Sequence, residues 1–259
     1  MGAVLRPVRR DLTFPAGWRG DVARWLRRQD PADPGPGGWV IALLPEFVEP
    51  ALRFDRPALQ VYQRVTWTTG LPEAISASVR PAWCSPARGR SEIALCSQAV
   101  TDDRVVADAV LVARMDGPCE PFGERALPAR PDVDGAGGRG LSLVLDTEQV
   151  RTFARLARTR HAIHDDAAAA RRLGYPDVLV QGAVLLLTVM HFGGSKERGS
   201  AEMWFRRAVP AGSVLRAAER RTAEGRLWTL RTSAGEVAAV GRLRDEPGEM
   251  PAAPDPSIV

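Results

Sequence analysis

The stretch ARTRHAIHDDAAAARRLGYPDVLVQGAVLL, residues 157–186, decides the fold and holds most of the side chains that can carry chemistry. The aspartate pair at 165–166 precedes an alanine-rich run that Gly174 ends, a pattern typical of a short capped helix. The uncharged run at 178–192 then predicts a longer helix that begins near Gly182. This helix is too short to span a bilayer, and because it is apolar on every side we expect it to be buried.

Alternating apolar and polar residues predict antiparallel strands on both sides of this stretch. One predicted helix, at 38–48, precedes the strands of the first half, and another, at 147–158 with Thr147 as its N-cap, follows the first strand of the second half. The last two strands form a hairpin that turns at Ala234-Gly235. The predicted strands are 59–68, 73–83, 91–100 and 104–115 in the first half, and 141–146, 201–209, 213–223, 226–234 and 236–244 in the second.

The region 116–140, rich in Pro and Gly, divides the chain into two parts of similar length. Each part ends in an antiparallel meander, and the second part places a buried helix before its strands, which is an α+β arrangement. We therefore predict an N-terminal unit at 1–120, a linker at 121–140 and a C-terminal unit at 141–246, packed so that their sheets form one continuous surface. The tail at 247–259 is predicted to be disordered.

Composition narrows the class of protein. The 259 residues are 45% hydrophobic and 25% charged, as in ordinary globular proteins. The net charge of +4 is spread along the chain without a basic run, so nucleic-acid binding is not predicted, whereas an anionic ligand suits it. Three cysteines without a C-x-x-C pair argue against a disulfide framework or a zinc site. No secretory signal is evident at the N-terminus, and we expect a cytoplasmic protein that does not bind membranes.

Two groups in the stretch 157–186 have the properties of a catalytic site. His164 lies just ahead of the aspartate-capped helix, and a neutral imidazole there can act as a general base. Further along, Gln181 and Gly182 begin the apolar helix, whose first N–H groups have no internal partner. Because glycine lets a ligand approach this backbone closely, an N–H here can bind a thioester carbonyl and stabilise an enolate.

This stretch resembles the hydratase motif of the MaoC-like (R)-specific enoyl-thioester hydratases. It is most similar to the branch with the type 2 3-hydroxyacyl-thioester dehydratases and mesaconyl-CoA hydratases, whose patterns are close to N-x-H-R-I-H-Y-D and G-Y-P-G-L-V-V-H-G. The matching segments are T-R-H-A-I-H-D-D at 159–166 and G-Y-P-D-V-L-V-Q-G at 174–182. The segment FRRAVPAGSVL at 205–215 resembles the strand after the family's central helix, whereas the first half of the chain matches only in its pattern.

The resemblance implies a double hot-dog fold and places the family's catalytic histidine at His164 and its thioester-binding glycine at Gly182. Thr159 stands where the family has an acidic or amide residue, and a hydroxyl can hydrogen-bond a water but cannot take its proton. The alternative for Thr159 is that it only terminates the preceding helix. Gln181 stands in place of the family's histidine before the glycine, and Asp165 in place of a tyrosine.

Two further residues are candidates with an open alternative. His161 is a second catalytic candidate, with a structural role as the equal alternative, and Tyr175 is a substrate-binding candidate that can instead shape the turn into the apolar helix. His191 is assigned a structural role. The first half has no histidine at an equivalent place, so we predict a single asymmetric site.

These roles predict hydration or dehydration, between 3-hydroxyacyl and 2-enoyl forms, of an acyl thioester on coenzyme A or acyl carrier protein. The carrier is part of the substrate, no metal or other cofactor is predicted, and a homodimer of double hot-dogs is a further expectation. Because Thr159 and Gln181 depart from the family pattern, two alternatives stay open. One is a degenerate, non-catalytic subunit that binds an acyl chain or a partner, and the other is a hot-dog enzyme with thioesterase or conjugate-addition activity.

Overall fold

The described residues form a ten-stranded antiparallel sheet with the helices packed against one of its faces. Side chains alternate across the sheet: Ile93 and Leu95 join the main core with the helices, whereas Ala94 between them belongs to a separate cluster on the opposite face. Within the residues that the structure describes, no helix is long and apolar enough to cross a lipid bilayer. The computed structural model describes residues 8–13, 17–27, 41–42, 58–68, 74–87, 89–101, 104–133, 140–159, 161–194 and 198–245.

Strands and helices are labelled in chain order. The first half contributes β1 (Val8–Thr13), β2 (Ala58–Trp67), β3 (Ala74–Ala87), β4 (Arg90–Thr101) and β5 (Arg104–Asp116). The second half contributes β6 (Gly140–Val144), β7 (Gly199–Phe205), β8 (Val214–Thr222), β9 (Gly225–Thr232) and β10 (Val237–Arg244). The α-helices whose two ends both lie within the described residues are α1 (Trp18–Arg27), α2 (Thr147–Leu156), α3 (Ala167–Arg172) and α4 (Gly182–Gly193).

The two halves of the sheet have the same topology. The strand order is β1-β3-β4-β5-β2 in the first half and, read from the opposite edge, β6-β8-β9-β10-β7 in the second. The halves join at the antiparallel pair of β2 and β7, where Tyr62 lies opposite Trp204. In each half a helix follows the first strand, α1 after β1 and α2 after β6. The predicted α+β arrangement with one continuous surface is confirmed, and the linker predicted at 121–140 falls between β5 and the start of β6.

Helix α4 is buried on all sides, as its composition predicts. Every residue from Ala183 to His191 is at most 6% exposed. The hydroxyl of Thr188 donates to the Val184 carbonyl at 2.8 Å, so this polar group is satisfied within the helix. The close packing around α4 leaves little room for a polar face, which is why the sequence of the helix is uncharged and largely apolar.

The N-terminal segment contains two elements that the sequence did not predict, β1 and α1. Helix α1 packs against α2 of the other half, with the ring centroids of Trp25 and Phe153 5.0 Å apart. The indole N–H of Trp25 donates to the Gln149 carbonyl at 2.9 Å, and that of Trp18 donates to the Leu156 carbonyl at 2.8 Å. The two halves are therefore held together above the sheet as well as within it.

Helix capping in the second half follows the sequence with one correction. Asp146 is the N-cap of α2, and the prediction of Thr147 is wrong by one residue. The Asp146 carboxylate accepts from the Gln149 N–H at 2.7 Å, and the Gln149 side chain accepts from the Asp146 N–H at 2.9 Å. Asp166 caps α3 by accepting from the Ala168 N–H at 2.7 Å. These bonds satisfy donors that have no partner within a helix.

Two predictions fall wholly or mostly outside the described residues. Of the helix predicted at 38–48, only Ile41 and Ala42 are described, and both are helical and fully buried. These two residues lie between α1 and β2 of the first half, as α4 lies between α2 and β7 of the second half. The tail at 247–259 lies outside the described residues altogether.

Residues 117–133, which we call the strap, connect the two halves, and Leu127 and Val133 of the strap pack on the face of the sheet opposite the helices. A disulfide joins Cys119 of the strap to Cys84 of β3. The expectation against disulfides is wrong for this pair, because a count of three cysteines does not show that the strap brings two of them together. Further along, the indole N–H of Trp204 in β7 donates to the Pro128 carbonyl at 3.1 Å. The strap therefore contacts both halves.

Candidate active site

His164 ends a single 3-10 turn, Ala162–His164, that precedes α3. Two hydrogen bonds fix this turn to the segment leading into α4. The Leu179 N–H donates to the Ile163 carbonyl at 2.8 Å, and His164 Nδ1 lies 2.7 Å from the Leu179 carbonyl oxygen. Because a carbonyl oxygen can only accept, Nδ1 carries the proton and Nε2 of the neutral ring keeps its lone pair.

The surroundings of His164 keep its ring neutral. Burial lowers the pKa of His164 to about 4; the hydrogen bond to the Leu179 carbonyl partly opposes this, and His161, with its ring centroid 5.7 Å away, lowers the pKa further. Burial also lowers the pKa of His161 below its ordinary value. Both imidazoles are therefore uncharged at neutral pH, and His164 can accept a proton at Nε2.

The start of α4 forms the second part of the site. Gln181 is its N-cap, with an extended backbone and a carbonyl that accepts from the Val184 N–H at 3.0 Å. The N–H groups of Gly182 and Ala183 come before the first intrahelical hydrogen bond and have no acceptor within the helix, and the helix dipole adds partial positive charge there. Glycine permits the close packing at this point, because an ideal Cβ on Gly182 would overlap the end of the Gln60 side chain and the ring of Phe205.

His164 and Gly182 line the same pocket, of about 190 Å³, at the junction of the two halves. The first half contributes one end of β2 and residues of β4 and β5. The second half contributes the 3-10 turn, the start of α4 and the chain that follows β7. Neither half alone encloses this pocket.

Three other residues predicted from the sequence also line the pocket, and one does not. Thr159, His161 and Gln181 are all part of its wall, which brings them together with the two central residues. Tyr175 is not among the lining residues. It lies in the turn after α3, where its N–H donates to the Ala170 carbonyl at 3.1 Å. Tyr175 therefore lies in the turn and outside this pocket lining, and the roles of all four residues stay predictions.

Two pocket residues on β2, Gln60 and Gln63, were missed by the sequence analysis. In a regular strand, residues three apart point to opposite faces. The pairing of β2 with β5 shifts register between Gln60 and Tyr62, and this bulge lets both glutamines reach the pocket. Tyr62 points to the other face, where its hydroxyl donates to Glu202 at 3.2 Å. Sequence alternation gives no signal for a bulge, so these glutamines could not be singled out.

Four exposed arginines also line the pocket, and three of them are ion-paired. Arg206 has no ion-pair partner within the described segments. An exposed guanidinium without a partner can bind an anionic group of a ligand that enters here. The paired arginines are Arg90 with Asp116 at 2.9 Å, Arg114 with Glu92 at 2.6 Å and Arg207 with Glu236 at 2.6 Å.

No protein-family model and no curated protein sequence matches the chain. Several solved structures do match its fold. HtdX of Mycobacterium tuberculosis matches with a TM-score of 0.72 at 17% identity, over 94% of this chain and 100% of that one. A MaoC-like dehydratase from Phytophthora capsici matches with a TM-score of 0.73 at 13% identity, over 94% and 96%. A conserved hypothetical protein of Mycobacterium tuberculosis with a double hot-dog fold matches with a TM-score of 0.60 at 14% identity, over 94% and 96%.

The chain therefore has the double hot-dog fold that the sequence predicted. More particularly, its fold is that of the MaoC-like dehydratases, so the resemblance seen in the stretch 157–186 is confirmed at the level of the fold. Membership of the type 2 dehydratase and mesaconyl-CoA hydratase branch stays a prediction.

Proposed function

We propose that the protein catalyses the reversible hydration of 2-enoyl thioesters to 3-hydroxyacyl thioesters carried on coenzyme A or acyl carrier protein. The observation that carries the proposal is that a neutral histidine with an unprotonated Nε2 and the glycine-started N-terminus of α4 line one pocket. A base and an oxyanion-binding N–H are the two groups that abstraction of a proton next to a thioester requires. The MaoC-like dehydratase that shares the fold supports the same class of reaction.

In the dehydration direction, His164 Nε2 removes the α-proton of a 3-hydroxyacyl thioester. The electron pair of the broken C–H bond moves into the thioester, and the Gly182 N–H binds the resulting enolate oxygen. The enolate then forms the 2,3 double bond and expels the 3-hydroxyl group, which takes the proton from the His164 imidazolium and leaves as water. Because burial disfavours the charged form of His164, the imidazolium readily gives up this proton.

Other groups of the pocket support the same step. Thr159 and His161 line the pocket and can hold the water that adds or leaves, although the proton itself passes through His164. Arg206 can bind a phosphate of coenzyme A or phosphopantetheine, which enters as part of the substrate. The proposed reaction uses no metal or redox cofactor.

We also propose that the protein is cytoplasmic. Disulfides such as Cys84–Cys119 are unusual in that compartment.

The direct test is hydration of crotonyl thioesters of coenzyme A and of acyl carrier protein. Loss of the ultraviolet absorbance of the conjugated enoyl thioester reports the reaction. We expect turnover that saturates with substrate on at least one carrier. A folded protein that hydrates neither short nor long enoyl thioesters on either carrier would contradict the proposal.

The lowered pKa of His164 predicts an unusual pH dependence. The base acts when unprotonated, and a pKa of about 4 leaves it unprotonated through the weakly acidic range. We expect kcat/KM for crotonyl-coenzyme A to fall less than about twofold from pH ~7.5 to pH ~5.5, whereas a base with the ordinary histidine pKa of ~6.5 would lose roughly tenfold. Circular dichroism at both pH values verifies the fold, and a tenfold fall in an intact protein would show that the base is not a buried neutral histidine.

The departures at Thr159 and Gln181 favour a second candidate, a hot-dog subunit that binds an acyl thioester without converting it. The variant Thr159→Asp separates the two. An enzyme should gain up to about tenfold in kcat, because a carboxylate orients and deprotonates water better than a hydroxyl does. A binding protein stays inactive, since one residue does not rebuild a lost site.

Thr159→Val is the matched control for this comparison, because it keeps the shape of the side chain and removes the hydroxyl. We expect it to lower kcat in an enzyme and to change nothing in a binding protein. Thermal unfolding of each variant verifies the fold, since a carboxylate in a closed pocket is destabilising unless it is hydrated or paired. Inactivity of the wild type and of both variants would favour the binding subunit.

A further inference from the structure

Three glutamines, which we call the amide cluster, lie together in the pocket. Gln60 and Gln63 come from β2 in the first half, and Gln181 comes from the start of α4 in the second. Gln63 is 1% exposed and Gln181 is 3% exposed. The side-chain N–H group of Gln60 donates to Gln63 Oε1, which links the two glutamines of β2.

Part of the hydrogen-bonding capacity of this cluster has no partner among the described residues. Among the residues that the structure describes, nothing accepts from Gln63 Nε2, and neither Nε2 nor Oε1 of Gln181 is bonded. Buried amide groups are almost always paired, because an unpaired one keeps the full cost of leaving water. All three unpaired atoms belong to side chains that line one pocket, and a ligand group that reaches them from there would complete their bonding.

The cluster lies beside the proposed reacting centre. Gln181 directly precedes Gly182, and Gln60 packs so closely on Gly182 that an added Cβ would lie 2.3 Å from its Oε1. Leu179, whose carbonyl holds His164, is two residues from Gln181 in the same extended segment. A group that the cluster binds therefore belongs to the molecule whose thioester carbonyl meets Gly182.

The chemistry of the unpaired atoms defines that group. Gln63 and Gln181 each present an N–H donor, and Gln181 adds one acceptor. A ketone oxygen accepts from both amides, and a hydroxyl can in addition donate to Gln181 Oε1. A hydrocarbon chain would leave all three atoms unpaired. A carboxylate at the cluster would need a buried counter-charge, but three of the four arginines that line the pocket are ion-paired, and the fourth, Arg206, is exposed and is assigned here to a phosphate of the carrier.

We infer that the substrate's acyl chain carries an uncharged oxygen group, a ketone or a hydroxyl, beyond its reacting carbons, and that the amide cluster selects it over a hydrocarbon chain of the same shape. This inference rests on the proposed thioester function and names the class of acyl group that the site takes. Gln181 is then a specificity-determining residue, and its replacement of the family's histidine has a chemical reason.

Binding of saturated coenzyme A thioesters, measured by calorimetry, tests the inference without turnover, because these chains lack the double bond and the 3-hydroxyl. Two matched pairs differ in one group: 4-oxopentanoyl against 4-methylpentanoyl, and 5-oxohexanoyl against 5-methylhexanoyl. For at least one pair we expect the ketone to bind about tenfold more tightly. In Gln181→Met, which keeps the side-chain length without the amide, this preference should disappear and the thermal midpoint of the ligand-free protein should rise.

Gln149→Met is the control, because Gln149 lies on α2 outside the pocket, and it should keep the preference for the ketone. Equal affinity for both members of each pair would overturn this inference and leave the proposed function standing. An equal loss of affinity for both members in Gln181→Met would assign the cluster to the pantetheine arm, and would overturn the inference too. If a folded protein bound none of these thioesters, either on coenzyme A or on acyl carrier protein, the proposed function would fail with it.

Discussion

Replacing His164 with alanine is expected to lower kcat for crotonyl-thioester hydration by about 10²–10⁴-fold, the usual contribution of a general base. The bond from Nδ1 to the Leu179 carbonyl leaves Nε2 as the proton-accepting atom, and alanine removes it. Because Gly182 and the rest of the pocket remain, we expect KM to change much less than kcat. Initial rates over a range of substrate concentration separate the two parameters.

The variant His164→Asn tests whether the loss comes from the missing base or from a displaced turn. An asparagine side-chain N–H can still donate to the Leu179 carbonyl, but it offers no nitrogen that accepts a proton. We expect it to be as inactive as alanine while unfolding near the wild-type temperature. His191→Asn, in α4 outside the pocket, is the matched control and should stay within a few-fold of wild-type activity once its fold is verified. Wild-type turnover by His164→Asn would remove His164 from the mechanism.

Gly182→Val is expected to lower kcat/KM by about 10²–10³-fold, the effect of losing one oxyanion-binding donor. A Cβ at this position would overlap the end of the Gln60 side chain and the ring of Phe205, so these side chains or the start of α4 must move. We expect the start of α4 to shift, which takes the Gly182 N–H away from the enolate oxygen. We also expect the free energy of unfolding to fall by about 1–3 kcal/mol because the site is overpacked.

Gly20→Ala is the control for a glycine with space around it. Gly20 lies in α1, where an added Cβ would have Arg24 Nη1 as its nearest contact, at 3.9 Å. This variant should keep its activity and gain about 0.4–1 kcal/mol of stability, because alanine restricts the unfolded chain. Steady-state rates and urea unfolding measure both quantities. Full activity in Gly182→Val would mean that another group binds the carbonyl oxygen.

Features set by a local pattern could be predicted from the sequence. Helix α4 could be predicted because a long, uncharged and largely apolar helix is stable only when it is buried. The hairpin of β9 and β10 was predicted because glycine readily adopts the left-handed conformation that Gly235 has, with φ of +81°. His164 and Gly182 belong to the same short stretch, so their pairing in one pocket follows from a motif and not from a calculation of the fold.

The remaining features depend on contacts between distant segments, which local patterns do not record. Gln60 and Gln63 share a pocket only because of the bulge in β2, and alternation would have placed them on opposite faces. The disulfide forms because the strap returns Cys119 to β3, a path that the cysteine spacing does not indicate. Helix α1 is held in place by tryptophans whose hydrogen-bond partners lie in the other half.

The join between β2 and β7 has a consequence for how the chain folds. The pairing of Tyr62 with Trp204 spans a longer stretch of chain than any other strand pairing in the described sheet. Of the strand pairings in the described sheet, this one therefore costs the most conformational entropy for closing its loop, and it raises the contact order of the protein. The pocket has one wall on each side of this join. The pocket is therefore completed only when β2 pairs with β7, which joins the most distant parts of the chain. A molecule in which both halves have formed but have not joined has strands, helices and exposed strand edges but no active site.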